Sequence, residues 1–242
     1  MEVKRLNKAI SETGYCSRRA ADKLIEEGHV KVNGEKVGLG VKVSATDAIS
    51  VHDQIITKEV RNIYLVFHKP VGITCTTDTK IRGNIITYMN YPERIFPVGR
   101  LDKPSEGLIF MTNDGDIVNK ILRAKNNHEK EYIVTVSKKI TAAFIKKMGN
   151  GIPVLDTITD TCNVEKINDY TFKIILTQGL NRQIRRMCEY LDYEVTKLKR
   201  VRIMNISLNN LKPGKYREFT ERELQVMNRL VGNSSKTEEA SL

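Results

Sequence analysis

The order of the apolar patterns constrains the fold more than any other feature. Runs at strand spacing read out over Ile63–His68, Leu108–Thr112, Glu131–Val136, Phe172–Thr177 and Ile203–Leu208. Interspersed with them are runs at helix spacing. Asp116–Leu122 carries Ile117, Val118, Ile121 and Leu122; Thr141–Met148 carries Phe144, Ile145 and Met148; Gln183–Leu191 carries Ile184, Met187, Cys188 and Leu191. A last helix opens on a capping box, Thr220 with Glu223, flanked by Phe219 and Leu224 as a hydrophobic staple. Strands and helices do not alternate strictly. The pattern predicts an α+β fold, a mostly antiparallel mixed sheet flanked by helices.

A smaller piece precedes this one. Val3–Ile10 reads as a short helix with Leu6, Ala9 and Ile10 on one side, stopped near Gly14. Ser17 can cap a second helix whose apolar face is Ala20, Ala21, Leu24 and Ile25, ended by Gly28. His29–Gly34 then alternates and closes on Asn33-Gly34, a tight-turn pair. Val37, Val41, Val43, Ile49 and Val51 supply further short strands. The expected organisation is residues 1–53 as a helix pair against a small hairpin sheet, 54–62 as a polar linker, 63–231 as the main domain, and 232–242 as a disordered tail.

Charge narrows the partner. Lys and Arg number 40 against 29 Asp and Glu, a net charge of +11. Residues 1–60 are nearly balanced at +1, while residues 180–217 carry +7. Such a late positive segment points to an acidic partner, with nucleic acid first in line. Cys16, Cys75, Cys162 and Cys188 form no CxxC pair, and the four His have no metal-ligand spacing, so no metal site is expected. There is no apolar leader at the N-terminus and no run of membrane-spanning length. The expectation is a cytoplasmic protein without metal or cofactor.

The chemistry centres on a single carboxylate. Asp102 stands in Pro97-Val-Gly-Arg-Leu-Asp-Lys103, just before the apolar strand that follows Ser105-Glu106-Gly107. Gly99 and Gly107 let the backbone bend closely around it, and Arg100 and Lys103 set positive charge beside it. An isolated Asp among basic residues is most often one half of a surface ion pair; the bracketing glycines and the strand behind argue for an ionised carboxylate able to attack.

The residues Ser17-Arg18-Arg19-x-Ala21, followed by Gly28-x-Val30-x-Val32-Asn33-Gly34, resemble the S-four RNA-binding domain. Arg18 and Arg19 open a helix there, where basic side chains and free backbone N–H groups face phosphate together. Gly99-Arg-Leu-Asp102, with its following Gly107-Leu108 and Thr112-Asn-Asp-Gly115, is similar to the RsuA-type pseudouridine synthases. Asn119–Ala124 and His128–Tyr132 point to the RluF subgroup, which acts on 23S rRNA. The resemblance runs from residue 1 to about 230.

That resemblance implies roles, residue by residue. Asp102 is the essential catalytic residue. Tyr132, in Lys130-Glu-Tyr132, lies against the target uracil, an aromatic wall that replaces the stacking a flipped base loses. Arg185, the second Arg of Asn181-Arg-Gln-Ile-Arg185, is the salt-bridge partner of Asp102. By helical position it sits at the edge of the apolar stripe, with Arg186 and Glu189 further out. Ile184 helps enclose the base. Arg100, Arg182, Arg186, Arg18 and Arg19 are the candidates for binding RNA. Ser105 replaces a Thr found in many relatives and keeps its hydroxyl. Phe67-His-Lys69-Pro-x-Gly72 reads as scaffold, and the sequence leaves open whether Lys69 touches RNA.

The implied reaction breaks the glycosidic bond of a uridine, rotates the uracil and rejoins it through carbon 5. It needs no cofactor. The expected substrate is a 23S rRNA stem-loop and the expected state a monomer. The alternatives are 16S rRNA, a tRNA anticodon arm that imitates an rRNA hairpin, or a non-catalytic ribosome-associated RNA-binding protein.

Overall fold

A computed structural model describes residues 3–57, 61–122 and 126–232. The chain divides into two compact units, Met1–Asn62 with Pro92–Arg94, and Ile63–Tyr91 with Ile95–Leu242.

In the first unit, β1 (Lys4–Arg5) leads into α1 (Leu6–Glu12), and α2 (Arg18–Glu26) follows. The N-terminal helix is therefore shorter than the sequence suggests. Lys4 and Arg5 pair instead with β4 (Lys42–Val43), a non-local contact that local periodicity cannot reveal. Ser17 caps α2 by accepting from the Ala20 amide. A four-stranded sheet of β2 (Val30–Val32), β3 (Glu35–Lys36), β5 (Ile49–Val51) and β6 (Gln54–Ile55), in the order β3-β2-β5-β6, completes the unit. Asn33 and Gly34 both adopt positive φ in the β2–β3 turn, as the Asn-Gly pair requires. His52 and Asp53 do the same between β5 and β6. Gln54 and Ile55 are thus a strand, a correction to their expected place in a linker. A His-Asp turn carries no glycine to announce it. Leu6, Ala9, Ile10, Ala21, Ile25, Val30, Val43 and Val51 form the core.

The second unit is α+β, as expected. Its strands are β7 (Tyr64–Lys69), β8 (Phe96–Val98), β9 (Glu106–Thr112), β10 (Lys130–Val136), β11 (Pro153–Val154), β12 (Thr157–Ile158), β13 (Asn163–Asn168), β14 (Thr171–Leu176), β15 (Val195–Ile203), β16 (Ile206–Ser207) and β17 (Tyr216–Glu218). Nine of them form one sheet in the order β13-β14-β10-β15-β9-β7-β17, with β16 on β15 and β8 on β9. All its pairings are antiparallel except β9 with β15. The helices are α3 (Ile85–Met89), α4 (Gly115–Leu122), α5 (Ala142–Gly149), α6 (Gln183–Tyr190) and α7 (Glu221–Gly232). The expected tail beyond Gly232 lies outside the described residues, as do Arg123 and Ala124.

Packing explains the strand patterns. On one face, β7 and β9 receive α4 and α7 against Val66, Leu108 and Phe110. On the other they receive α3 against Leu65, Phe67, Ile109 and Met111. Covered on both sides, β9 is continuously apolar from Leu108 to Met111 rather than alternating. In β10, β14 and β15, one face packs on α5 and α6 through Val134, Phe172, Ile174 and Leu198. The capping box holds: Thr220 Oγ1 accepts from the Glu223 amide, and the Glu223 carboxylate accepts from the Thr220 amide.

Ile203–Leu208 is not one strand, contrary to the sequence expectation. Met204 turns the chain at positive φ, so Ile203 pairs with Ile206. The long strand is β15, which precedes it.

Candidate active site

Asp102 occupies a loop pinned from several sides. The Leu101 amide donates to Cys75 Sγ at 3.4 Å, and the Gly72 amide to the Lys103 carbonyl at 2.8 Å. The Ser105 amide closes a turn onto the Asp102 carbonyl at 3.0 Å. Lys69 is fully buried, and its ammonium donates to the carbonyls of Pro70 and Ser105 at 2.8 and 2.7 Å. It clamps the loop from below, which settles the question the sequence left open: it is not a surface RNA contact. Burial lowers its pKa, opposed by the charges of Cys75, Asp102 and Glu106.

The two glycines around the loop do different work. Gly99 has φ +78, and a Cβ there would press on the Leu122 side chain. Gly107 has φ +124, and a Cβ would lie 2.3 Å from the Arg200 carbonyl oxygen. Only glycine lets β9 and β15 meet here.

Arg185 projects from the first turn of α6. It is 9% exposed, deeper than a place at the stripe's edge implies. Its Nη1 donates to the Val195 carbonyl at 3.0 Å, and its Nη2 reaches the Pro104 carbonyl and Ser105 Oγ at 3.5 and 3.3 Å. Nε faces Asp102 Oδ2 at 3.9 Å and has no hydrogen-bond partner. The contact is an ion pair at long range rather than a bidentate fork. The Ser105 hydroxyl thus helps to hold the guanidinium. Burial and the neighbouring charge of Arg182 lower the Arg185 pKa, while Asp102 raises it.

Tyr132 is half-buried in β10 and packs against the core clusters on both sides of it. A β-bulge in β15 adjusts what stands opposite. Glu131 pairs with Arg202 but Tyr132 pairs with Arg200, so Val201 is left over. The extra residue puts two arginines that are two positions apart on opposite faces. Arg202 bonds Glu129 and Glu131 at 2.9 and 3.0 Å. Arg200 turns inward, is buried, and sets its guanidinium carbon 6.0 Å from the Tyr132 ring centroid.

Asp102, Tyr132, Arg185, Ile184, Arg100 and Arg182 all line one cleft of about 540 Å³. That volume suits a small ligand or a single extruded base. Cys75, Leu122, Lys130 and Arg200 share the lining. Arg182 is the left-handed N-cap of α6, and the turn before it is braced by Gln183, which accepts from the Leu180 amide and donates to Gln178. Arg186 does not line the cleft; its guanidinium bonds Asn181 instead. Arg18 and Arg19 are exposed at the first turn of α2, in the other unit. Lys130 and Arg200 are site residues that the sequence pattern does not single out. Lys130 was visible only as the first residue of the Lys-Glu-Tyr motif, and Arg200 only as part of a basic segment.

Among the described residues, no group of three or more His, Cys, Asp or Glu could hold a metal ion, and no helix is long and apolar enough to cross a membrane. Of the described residues that line the cleft, Asp102 is the sole carboxylate. It stands among Arg100, Lys103, Lys130, Arg182, Arg185 and Arg200. A lone carboxylate in a cationic cleft with an aromatic wall can attack or move a proton on a substrate that is itself polyanionic.

Comparison with known proteins is specific. A family profile described as RNA pseudouridylate synthase matches residues 63–190, and an S4 domain profile matches residues 4–49. The chain is 54% identical over 233 residues to the dual-specificity RNA pseudouridine synthase RluF of Salmonella typhi, covering 96% of this chain and 81% of that protein. It is 34% identical to the ribosomal large subunit pseudouridine synthase B of Bacillus subtilis, over 95% of this chain and 97% of that one. A crystal structure of a pseudouridylate synthase superposes with a TM-score of 0.68 at 30% identity, over 93% of this chain and 99% of the other.

Proposed function

The chain belongs to the RNA pseudouridylate synthase family and is an RNA-modifying isomerase; from that premise we propose that it converts a uridine of large-subunit ribosomal RNA to pseudouridine, with Asp102 as the catalytic carboxylate. The observation that carries the assignment is the isolation of Asp102 as the one carboxylate among the described residues of the cleft, opposite an aromatic ring.

The residues divide the work. Target uridine leaves its stack and enters the cleft, where Tyr132 replaces the lost base stacking and Ile184 closes the apolar side. Asp102 attacks the sugar or the uracil, and the C1′–N1 bond breaks. Rotation then brings C5 to C1′; the C5–C1′ bond forms, the bond to Asp102 breaks and returns the free carboxylate, C5 loses its proton and N1 gains one. Atoms and charge balance without a cofactor. Arg185, fixed by Val195, Pro104 and Ser105, keeps a positive charge beside Asp102 while leaving the carboxylate oxygens free to react.

Arg100 and Arg182 at the cleft bind the phosphates next to the flipped nucleotide, and Arg18 and Arg19 bind other phosphates of the same RNA. Arg186 supports the Asn181 turn and contributes charge to the same surface. The large-subunit assignment draws on the name of the Bacillus relative. The dual specificity named for the Salmonella relative favours a second RNA here as well, and a tRNA anticodon arm is the candidate. Its state is a monomer, working in the cytoplasm where these RNAs are made.

Chemical mapping of pseudouridine in the rRNA and tRNA of a strain lacking the gene tests this. The expected result is loss at a large-subunit position, restored by the intact gene and not by Asp102→Asn. Unchanged large-subunit maps would remove the ribosomal assignment.

A further inference from the structure

Buried cations ordinarily come with buried carboxylates, because an unpaired charge is expensive to desolvate. Two cations in this cleft break the pattern. Lys130 is 6% exposed, and its ammonium donates to the carbonyls of His128 and Thr177 at 3.0 and 2.9 Å. An ammonium has three donors, so one remains. Arg200 is 5% exposed; its Nε donates to the Leu108 carbonyl at 2.7 Å, and its buried Nη2 has no partner. Neither makes an ion pair among the described residues. Burial, then the charge of Arg200, brings the Lys130 pKa down to about 8, so the two cations repel each other in place.

Their position gives the arrangement a use. Lys130 and Tyr132 are two residues apart on β10 and share a face. Arg200 stands opposite Tyr132 across the bulge. The two cations therefore flank the ring assigned to the uracil. The phosphates of RNA are a permanent charge, and exposed Arg100, Lys103 and Arg182 already answer them. A charge that appears only deep in the cleft, and only during reaction, belongs to the base. When the C1′–N1 bond breaks, its electron pair stays with N1, and the detached uracil is an anion with charge shared over N1, O2 and O4. It remains so until C5 bonds to C1′.

We propose that Lys130 and Arg200 are further catalytic residues that stabilise the detached uracil anion beside Tyr132, in the manner of an oxyanion hole built from side chains. The proposal rests on the assignment of Asp102 and Tyr132 above. It accounts for why the fold tolerates two partly unsatisfied buried cations: their counter-charge is made in the reaction.

The test varies the leaving group. Fluorine at C5 withdraws electrons and makes the base a more stable anion, so it needs less help. Single-turnover disappearance of the starting nucleoside at saturating RNA is measured by nucleoside analysis with uridine or 5-fluorouridine at the target, for wild type, Lys130→Met and Arg200→Lys. The fluorinated base has no C5 proton to lose, so its C5–C1′ product keeps the fluorine and adds water across C6=N1; the rate compared is that of C1′–N1 cleavage. Lys130→Met is expected to slow uridine conversion by about 10²–10³-fold with Kd little changed. With 5-fluorouridine its penalty shrinks on the order of tenfold. Arg200→Lys, which keeps the charge but shortens the reach, shows a smaller penalty with the same dependence on the base; it carries the comparison alone if Lys130→Met does not fold. Equal penalties on the two substrates overturn the proposal. So does a loss confined to Kd with a shallower salt dependence, which would assign both cations to a phosphate. Asp102→Asn, run in parallel, separates the two levels: activity there overturns the Asp102 assignment, whereas a missing leaving-group effect with inert Asp102→Asn overturns this inference alone.

Discussion

In the first unit Arg18 and Arg19 stand in solvent at the start of α2, while the cleft unit holds Lys69, Lys130, Arg185 and Arg200 almost wholly out of water. The same residue types serve opposite ends. An exposed arginine keeps its hydration, costs little to carry, and offers an interaction that salt screens. A buried one has shed its water and is held by backbone carbonyls, so it acts at fixed geometry in a low dielectric. Exposed charge can gather RNA; buried charge can act only on what enters the cleft.

The comparison is broken most sharply at Asp102. Asp102→Asn removes the single carboxylate among the described residues of the cleft at nearly constant shape. It should lower tritium release from 5-tritiated uridine RNA by at least about 10³-fold while RNA affinity stays close to wild type. Substantial turnover by the purified variant would sink the division between gathering and reacting.

Glycine substitutions probe the backbone side of the contrast. Gly107→Ala drives a methyl into Arg200 at positive φ and should cost roughly 3 kcal/mol or more in denaturant unfolding. Gly34→Ala in the first unit meets nothing within 4 Å and bears only the left-handed strain, about 1 kcal/mol. Similar losses at both sites would mean that the β9–β15 approach is not under such tight constraint.

At the aromatic wall, Tyr132→Ala should lose about 1–3 kcal/mol of binding to the flipped-base complex, and Tyr132→Phe little. Equal affinities for the two variants would argue against stacking. Good binding by Phe without turnover would give the hydroxyl a part in proton transfer.

A pH series reads out the burial of Lys130. Its folded pKa is near 8 and an unfolded lysine titrates near 10.4, so between these values the unfolded chain holds more protons and stability rises with pH. Below about pH 8 both states are protonated and the contribution is flat. The difference in unfolding free energy between wild type and Lys130→Met should therefore climb by up to roughly 1.4 kcal/mol per pH unit from about pH 8 to about pH 10. A flat difference would place Lys130 in contact with water.

The smallest effect belongs to the exposed pair. Arg18→Ala and Arg19→Ala should each reduce the slope of log affinity against log salt by about 1, with single-turnover rates at saturating RNA unchanged. An unaltered slope would show that this helix end does not meet the substrate.

Much of the site was legible because its residues sit in short contiguous motifs. Asp102 between its glycines, Tyr132 at the head of an apolar strand, and Ile184 and Arg185 on one helical turn all carry their context locally. Arg200 did not. Val195–Ile203 holds four charged side chains and a bulge, so its alternation fails, and an arginine there reads as solvated. What buries it is the Leu108 carbonyl, 92 residues earlier in the chain. Lys69 was hidden likewise, since its acceptor at Ser105 belongs to a different loop. The pairing of Lys4 and Arg5 with Lys42 and Val43 is equally silent in any local window.

The place of β15 has a consequence for how the protein is made. β9 and β10 follow one another in sequence but are not neighbours in the sheet; β15 lies between them. A nascent chain that has not yet reached Val195 can form β7 with β8 and β9, and β10 with β14 and β13, as separate fragments. Each then has an open edge where β15 will go, and open edges invite pairing with other chains. Insertion of a late strand between two early ones raises the contact order and slows the final step. The Leu108 carbonyl waits for Arg200, and Gly107 for the backbone that crosses it, until that strand arrives. During synthesis the ribosome therefore carries a chain whose Asp102 loop is complete long before it is armed.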